Sequence, residues 1–400
     1  MKNLISLLLC LILLHSPAAV FADSIAAREA AFALMAAANV TDENHETLSE
    51  SLVSLAGTPG GDWYALAAGA LGADGKTYAA ALAAVVAEKY QTDGGLSETK
   101  ATEYHRAALT LGALGFDPTA VPLENGKTAD LLADGVTMRE NVGKQGVNGV
   151  IFALLTLGAF GRLSPDPAAE NDAERLFETL KKRQNPDGGW SLSGETSDAD
   201  VTAMALTAIA LSGFAGTGDA IVSDALAFLA SRQNDTGAFE GMDGPSCEST
   251  AWAIVALTAL GIDPESDARF VKNGASAADG LYSFRREDGT FRHTLTSDGE
   301  DAAITNAEAL LALAALVRFA EGKPSPLDFS GAALKKLDPE AVEQAADELE
   351  TEPEKQKSGV FIALFGEPEA RKKSVSVILA VAALAGVLLL VYRRKRKNRI

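Results

Sequence analysis

The stretch Lys181–Leu211, KKRQNPDGGWSLSGETSDADVTAMALTAIAL, joins four kinds of sequence in one run. A basic end of an amphipathic segment leads into a Gly-rich turn closing on Trp190, then an acidic Ser/Asp step, then an Ala/Leu run that is apolar all round. Glycines at 188 and 189 permit the left-handed backbone of a tight return, Gln184 can bond the turn's backbone, and Trp190 can seal the bend. An amphipathic helix belongs on an outside layer and a helix without a wet face belongs inside.

Weaker copies of the turn follow the same order: Gln91-Thr-Asp-Gly-Gly, Gln233-Asn-Asp-Thr-Gly-Ala-Phe and Arg286-Glu-Asp-Gly-Thr-Phe. The spacing predicts a unit of about 50 residues, each an outer and an inner helix, with one worn copy near Gln145. Outside the turns the chain is Ala/Leu-rich with few strand-like alternations, which predicts an all-α fold. Helices are expected near 25–39, 46–56, 62–72, 76–91, 102–115, 127–142, 147–160, 168–184, 199–212, 219–233, 247–261, 266–283 and 302–320. Several stop at Leu-Gly with Asp-Pro beyond, as at Gly115 to Pro118 and Gly261 to Pro264. About six such pairs without a polar cap at either end predict a closed ring of two concentric layers.

The ends carry a different code. Residues 1–22 read as a secretory signal, with Lys2, an apolar core and small residues before Asp23. Residues 23–330 are the expected toroid and 331–373 an acidic stalk, part helical and part disordered, too polar for a core. The apolar run 374–392 fits a membrane helix, and the cations of 393–400 place that tail inside by the positive-inside bias. The expected protein is therefore single-pass in the cell membrane with its N-terminal domain extracytoplasmic. Gly359–Gly366, GVFIALFG, is an apolar island too short to span. The formal charge is −19, and the part outside the tail is more acidic still, which excludes nucleic acid as a partner. Once the signal leaves, Cys247 is the one cysteine, so the fold rests on its core rather than on disulfides.

The turn with its glutamine, paired glycines and aromatic resembles the repeat of the prenyltransferase and squalene-cyclase family over residues 25 to 325. That resemblance implies the α/α toroid shared by terpene cyclases, protein prenyltransferase β subunits and vitamin B12 carriers. Asp198-Ala-Asp200-Val-Thr202-Ala resembles the cyclases' Asp-x-Asp-Asp-Thr-Ala element, which implies Asp200 as the proton donor and Asp198 as its neighbour. Val201 replaces the last aspartate, and three tryptophans are a thin supply for stabilising carbocations. Capping of an inner helix by Asp198 and its neighbours is the plainer reading. The zinc site of the prenyltransferases would fall on Cys247 and His293, with Pro245 where its aspartate should stand, so no metal is expected. The B12 carriers imply cobalamin as one ligand, held with the help of a second chain.

The inner helices start with polar residues, and in a closed ring these starts converge on one mouth. The candidate ligand-binding residues are Tyr104, His105, Asn148, Asp198, Asp200, Thr202, Glu248, Thr250, Trp252 and Asn306, with His105 also weighed as an interface residue. Three roles follow: binding of a small or partly apolar ligand or an envelope protein without catalysis, cyclase-like chemistry on Asp200, or a scaffold.

Overall fold

The computed structural model describes residues 17–296 and 302–351. Its helices are α1 (Pro17–Ala37), α2 (Pro59–Ala70), α3 (Lys76–Thr92), α4 (Ala101–Ala113), α5 (Val147–Ala159), α6 (Ala173–Lys182), α7 (Ala199–Ser212), α8 (Ala220–Arg232), α9 (Cys247–Ala259), α10 (Ala277–Tyr282), α11 (Ala302–Ala320) and α12 (Pro339–Thr351). Two antiparallel pairs of two residues each complete it: β1 (Val121–Pro122) with β2 (Thr128–Ala129), and β3 (Glu240–Gly241) with β4 (Gly244–Pro245).

Local chemistry sets the ends of the inner helices. Thr58 caps α2 by accepting from the Gly61 N–H at 3.2 Å, with Pro59 at the first helical position, and Ser246 caps α9 by accepting from Ser249 at 3.1 Å. Left-handed glycines end them, Gly213 at φ 66° and Gly261 at φ 72° among them. Between those ends α5, α7, α9 and α11 are buried on nearly every side.

Helix α2 packs on α4, α4 on α5, α5 on α7, α7 on α9, α9 on α11, and α11 returns to α2. Six inner helices therefore close a ring, as the all-round apolar sequences require. Every one of them follows an outer segment, so all six run parallel and their N-termini share one face. Alanines at the contacts, such as Ala203, Ala208 and Ala256, are fully buried and let the helices approach closely. Helices α1, α6, α8 and α10 lie outside, against α11, α5 and α7, α7, and α9.

Three expectations need correction. The span 127–142 is not one helix: it holds strand β2, paired with β1 ahead of it, and one wide helical turn, Ala133–Thr137. There the Gly135 carbonyl lies 3.0 Å from His105 Nε2, and a side chain at 135 would meet Tyr104 Cβ at 2.6 Å, so close docking on α4 displaces the helix. The span 266–283 is helical only in α10, because Asn273 and Gly274 form a left-handed turn ahead of it. The span 46–56 holds one helical turn, Glu50–Val53.

The polar stretch expected to begin a stalk includes α12, which packs along α3 with Leu337, Val342 and Ala345 buried. The apolar runs 1–16 and 374–392, the island 359–366 and the basic tail lie outside the described residues. Among described residues the one helix long and apolar enough to cross a membrane is α11, and 72% of that window is buried as core.

Candidate functional site

The fasteners of the repeat define the geometry of the mouth. Gln184 Nε2 donates to its own turn at Gly188 O, 2.7 Å, and to Ile221 O of the next outer helix, 2.9 Å. Gln233 does the same to Gly237 O, 3.1 Å, and Phe270 O, 2.8 Å. The Trp190 indole N–H donates to Leu180 O at 2.9 Å, so this side chain seals its turn and lines no cavity. Gln145 instead brackets the start of α4, accepting from the Thr102 N–H at 3.0 Å and donating to its hydroxyl at 2.9 Å. Gln91 is exposed and donates from Nε2 to Glu124 at 3.0 Å rather than closing its turn on the next outer helix.

A second set of bonds ties each turn to the following inner helix. The Leu96 N–H donates to the Tyr104 hydroxyl at 2.9 Å, Trp190 N–H to Thr202 Oγ1 at 2.9 Å, Phe239 N–H to Thr250 Oγ1 at 2.9 Å, and Phe291 N–H to Asn306 Oδ1 at 2.6 Å. Tyr104, Thr202, Thr250 and Asn306 were expected at the ligand, and this is corrected: each is buried and its polar atom satisfies a turn. His105 is also removed from the mouth. It is fully buried against Gly135, and burial pushes its imidazole down to about 4, so it is neutral.

At about 100° per residue, positions two before and two after an outward-facing fastener turn to the opposite face, toward the ring's axis. Two before lie Thr102, Asp200, Glu248 and Ile304, with Asn148 at the matching place in α5. These form a rim, and each keeps some exposure. Two after lie Arg106, Met204, Trp252 and Glu308, joined by Trp63 and Phe152. Trp63, Arg106, Phe152, Met204 and Trp252 each stand nine residues ahead of a left-handed glycine, which puts them at one height.

At that height Trp63, Phe152 and Trp252, from three alternate inner helices, meet edge to face, with centroids 5.9 to 6.2 Å apart. Rings from alternate helices touch only on the axis, so the aromatic triad stops the bore. Trp252 was expected at the ligand and is 1% exposed, a part of this plug rather than of the rim. Arg106 turns aside to Asp62 on α2, donating from Nε at 2.8 Å, and Tyr78 donates to the same carboxyl at 2.7 Å; this buried network clamps α2 to α4.

Above the plug, a cavity of about 370 Å³ opens between the starts of α7, α9 and α11 and the β3–β4 hairpin. Asp198, Asp200, Asp243 and Glu248 give it an acidic wall, and Met242 and Ile304 give it apolar surface. Asp198 caps α7, its carboxylate 3.4 Å from the Asp200 N–H. Burial, reinforced by the hydrogen bond and charge of Asp198, pushes the Asp200 carboxyl up to about 7. Glu248 accepts from the Thr305 hydroxyl and sits 2.7 Å from His293 Nδ1, which ties the starts of α9 and α11 to the connection that enters α11.

Deeper, burial pushes Glu308 up to about 8; the neighbouring Trp252 indole opposes this, and the charges of Glu248 and Asp200 add to it. Two carboxyls thus hold protons near neutral pH, Asp200 on the cavity wall and Glu308 beneath it. Asn148 stays on the rim but outside that cavity's wall. Sequence reasoning missed Glu308, Trp63 and Phe152, which the glycine register and the fastener spacing could have located.

The donor set does not suit zinc. Burial, with the charges of Glu248 and Glu308, pushes the Cys247 thiol well up and so away from the thiolate a metal needs, and the Nδ1 of His293 is engaged by Glu248. Among the described residues no three His, Cys, Asp or Glu side chains are grouped to hold a metal.

The sequence pattern of the prenyltransferase alpha-alpha toroid domain matches residues 138–271, 219–323 and 247–389. No curated protein matches the chain. Among solved structures, a variant of the type II terpene cyclase MstE from Scytonema, in complex with geranylgeranyl dihydroxybenzoate, aligns at 14% identity and TM-score 0.46, over 75% of this chain and 99% of that one. The unliganded MstE aligns at 17% identity and TM-score 0.34, over 73% and 98%. With a closed ring of six inner helices and family matches over more than half its length, the chain belongs to the prenyltransferase alpha-alpha toroid domain family.

Proposed function

We propose that the mouth over α7, α9 and α11 binds a small, partly apolar molecule with a donor-rich or cationic head. The observation that carries this is the cavity of about 370 Å³ with carboxyls on its wall and the aromatic plug beneath it. Carboxylates Asp198, Asp243 and Glu248 accept from a donor head, while Met242 and Ile304 meet its apolar part. The volume lies at the small end of ligand sites, so a corrinoid such as cobalamin would project from it and need a partner chain to cover it. The role fits a single-pass cell-membrane protein whose toroid is extracytoplasmic, a location supported by the sequence of 374–400 alone.

A second reading is favoured by one observation. Asp200, raised to about 7 and beside Asp198, stays protonated near neutral pH, as the proton donor of the cyclase-like alternative must. Against it stand Val201, buried where a third acid is expected, and the plug that shortens the space for a polyene. Purified full-length protein in detergent decides between them. A small mass retained in native spectra and lost in Asp200→Asn/Glu248→Gln supports binding, and turnover of an added polyene that vanishes in Asp200→Asn alone supports catalysis. An empty ring that neither retains nor turns over anything would leave a scaffold.

A further inference from the structure

Large apolar side chains are exposed at few places among the described residues, and four of them share one face. Met138 (61% exposed), Leu192 (61%), Met242 (83%) and Leu295 (46%) lie one each in the four consecutive connections that enter α5, α7, α9 and α11. All four connections lie on the mouth face. They also adjoin: Gly146 sits against the Leu192 carbonyl, Met242 shares a cavity wall with His293 and Thr294, and the Cys247 N–H donates to His293 O at 2.9 Å. The acidic mouth is thus ringed by exposed apolar side chains, one in each of four adjoining connections.

We propose that this rim is the docking surface for Gly359–Gly366, GVFIALFG, of the same chain. The path of the C-terminal segment supports this occupant. The Phe329 N–H bonds Ala159 O at 2.8 Å, and the Lys335 N–H bonds Gly115 O at 2.9 Å, so residues 329–335 cross the face opposite the mouth. Helix α12 starts four residues later and packs along α3, which itself runs from that far face to the mouth face. It therefore climbs the outside of the ring, about 20 Å over its length, and delivers Thr351 to the mouth side.

Residues 352–358 then span up to about 24 Å when extended. Inner helices spaced about 8–10 Å apart put the near rim within that reach. The island itself is six consecutive uncharged apolar residues between two glycines, too short to cross a bilayer. A tether this short gives an effective concentration of about a millimolar, so even a weak apolar contact is occupied.

The test uses the full chain in lipid nanodiscs with photoreactive benzoylphenylalanine in place of Met138, and in a second protein in place of Leu295, the two rim positions on the side of the ring where α12 climbs; both sites are exposed, so folding is preserved. Illumination is expected to join either probe to the peptide containing 359–366, with a yield independent of protein concentration. That yield should fall at least about tenfold in Phe361→Asp/Phe365→Asp, since burying two phenylalanines is worth at least that much. Cross-links to lipid, cross-links that grow with protein concentration, or none to residues 359–366 would each overturn the proposal.

Discussion

Thr202→Val separates a fastener from a ligand contact. Valine keeps the shape of threonine and removes one oxygen, the atom that accepts from the Trp190 N–H at 2.9 Å. Trp190 and Thr202 are both 0% exposed, so no water replaces the lost acceptor. A buried amide left unpaired costs about 1–3 kcal/mol. In a domain of this size that lowers the melting temperature by about 2–4 °C per kcal/mol. The change is read by urea and thermal unfolding of the full chain in detergent, with Thr250→Val as the matched case on Phe239. Ligand retention at the mouth should be unchanged, because the Thr202 side chain faces its turn. A loss of less than about 0.5 kcal/mol, or an intact fold that no longer retains its ligand, would refute the assignment of these threonines to the turns.

Three further outcomes follow from the same geometry. Asp200 and Glu308 are held above their ordinary values, so protonated carboxyls favour the fold. Their contribution is full below about pH 4 and fades as pH rises toward 7 and 8, and unfolding midpoints of Asp200→Asn/Glu308→Gln should be flatter over that window than those of the parent. Trp252→Ala opens the plug and should cost about 3–5 kcal/mol in urea unfolding while admitting longer ligands to the ring. Ending the chain after Lys336 strips Val342 and Ala345 from α3 and should lower the melting temperature, whereas a free stalk would leave it unchanged.

The ring was legible because its inner helices announce themselves. Runs such as Ser249 to Leu260 have no wet face, follow a capping residue, here Ser246, and stop at a left-handed glycine, and every level of that sequence agrees. The third outer segment was not, since periodicity across 127–142 is helical while Gly135, docked under His105, is decided by a partner distant in sequence. The docking of α12, though not its helicity, escaped because its buried residues, Leu337, Val342 and Ala345, form a narrow stripe in an otherwise acidic run. At the mouth, sequence reasoning placed Asp198, Asp200 and Glu248 at converging helix starts and the structure brings these three together. It did not distinguish them from Tyr104, Thr202, Thr250 and Asn306. Polar residues two positions apart at a helix start look alike in sequence, and only the opposite faces they occupy separate the rim from the fasteners.

Ligand retention at the mouth is tested most directly by native mass spectrometry of the full-length protein and of Asp200→Asn/Glu248→Gln, released from detergent under the same conditions. The account predicts a small additional mass on the parent protein and its loss in the double variant, with the melting temperature of the variant showing an intact fold. A parent protein that carries no added mass, or a mass that stays unchanged in the variant, would contradict it.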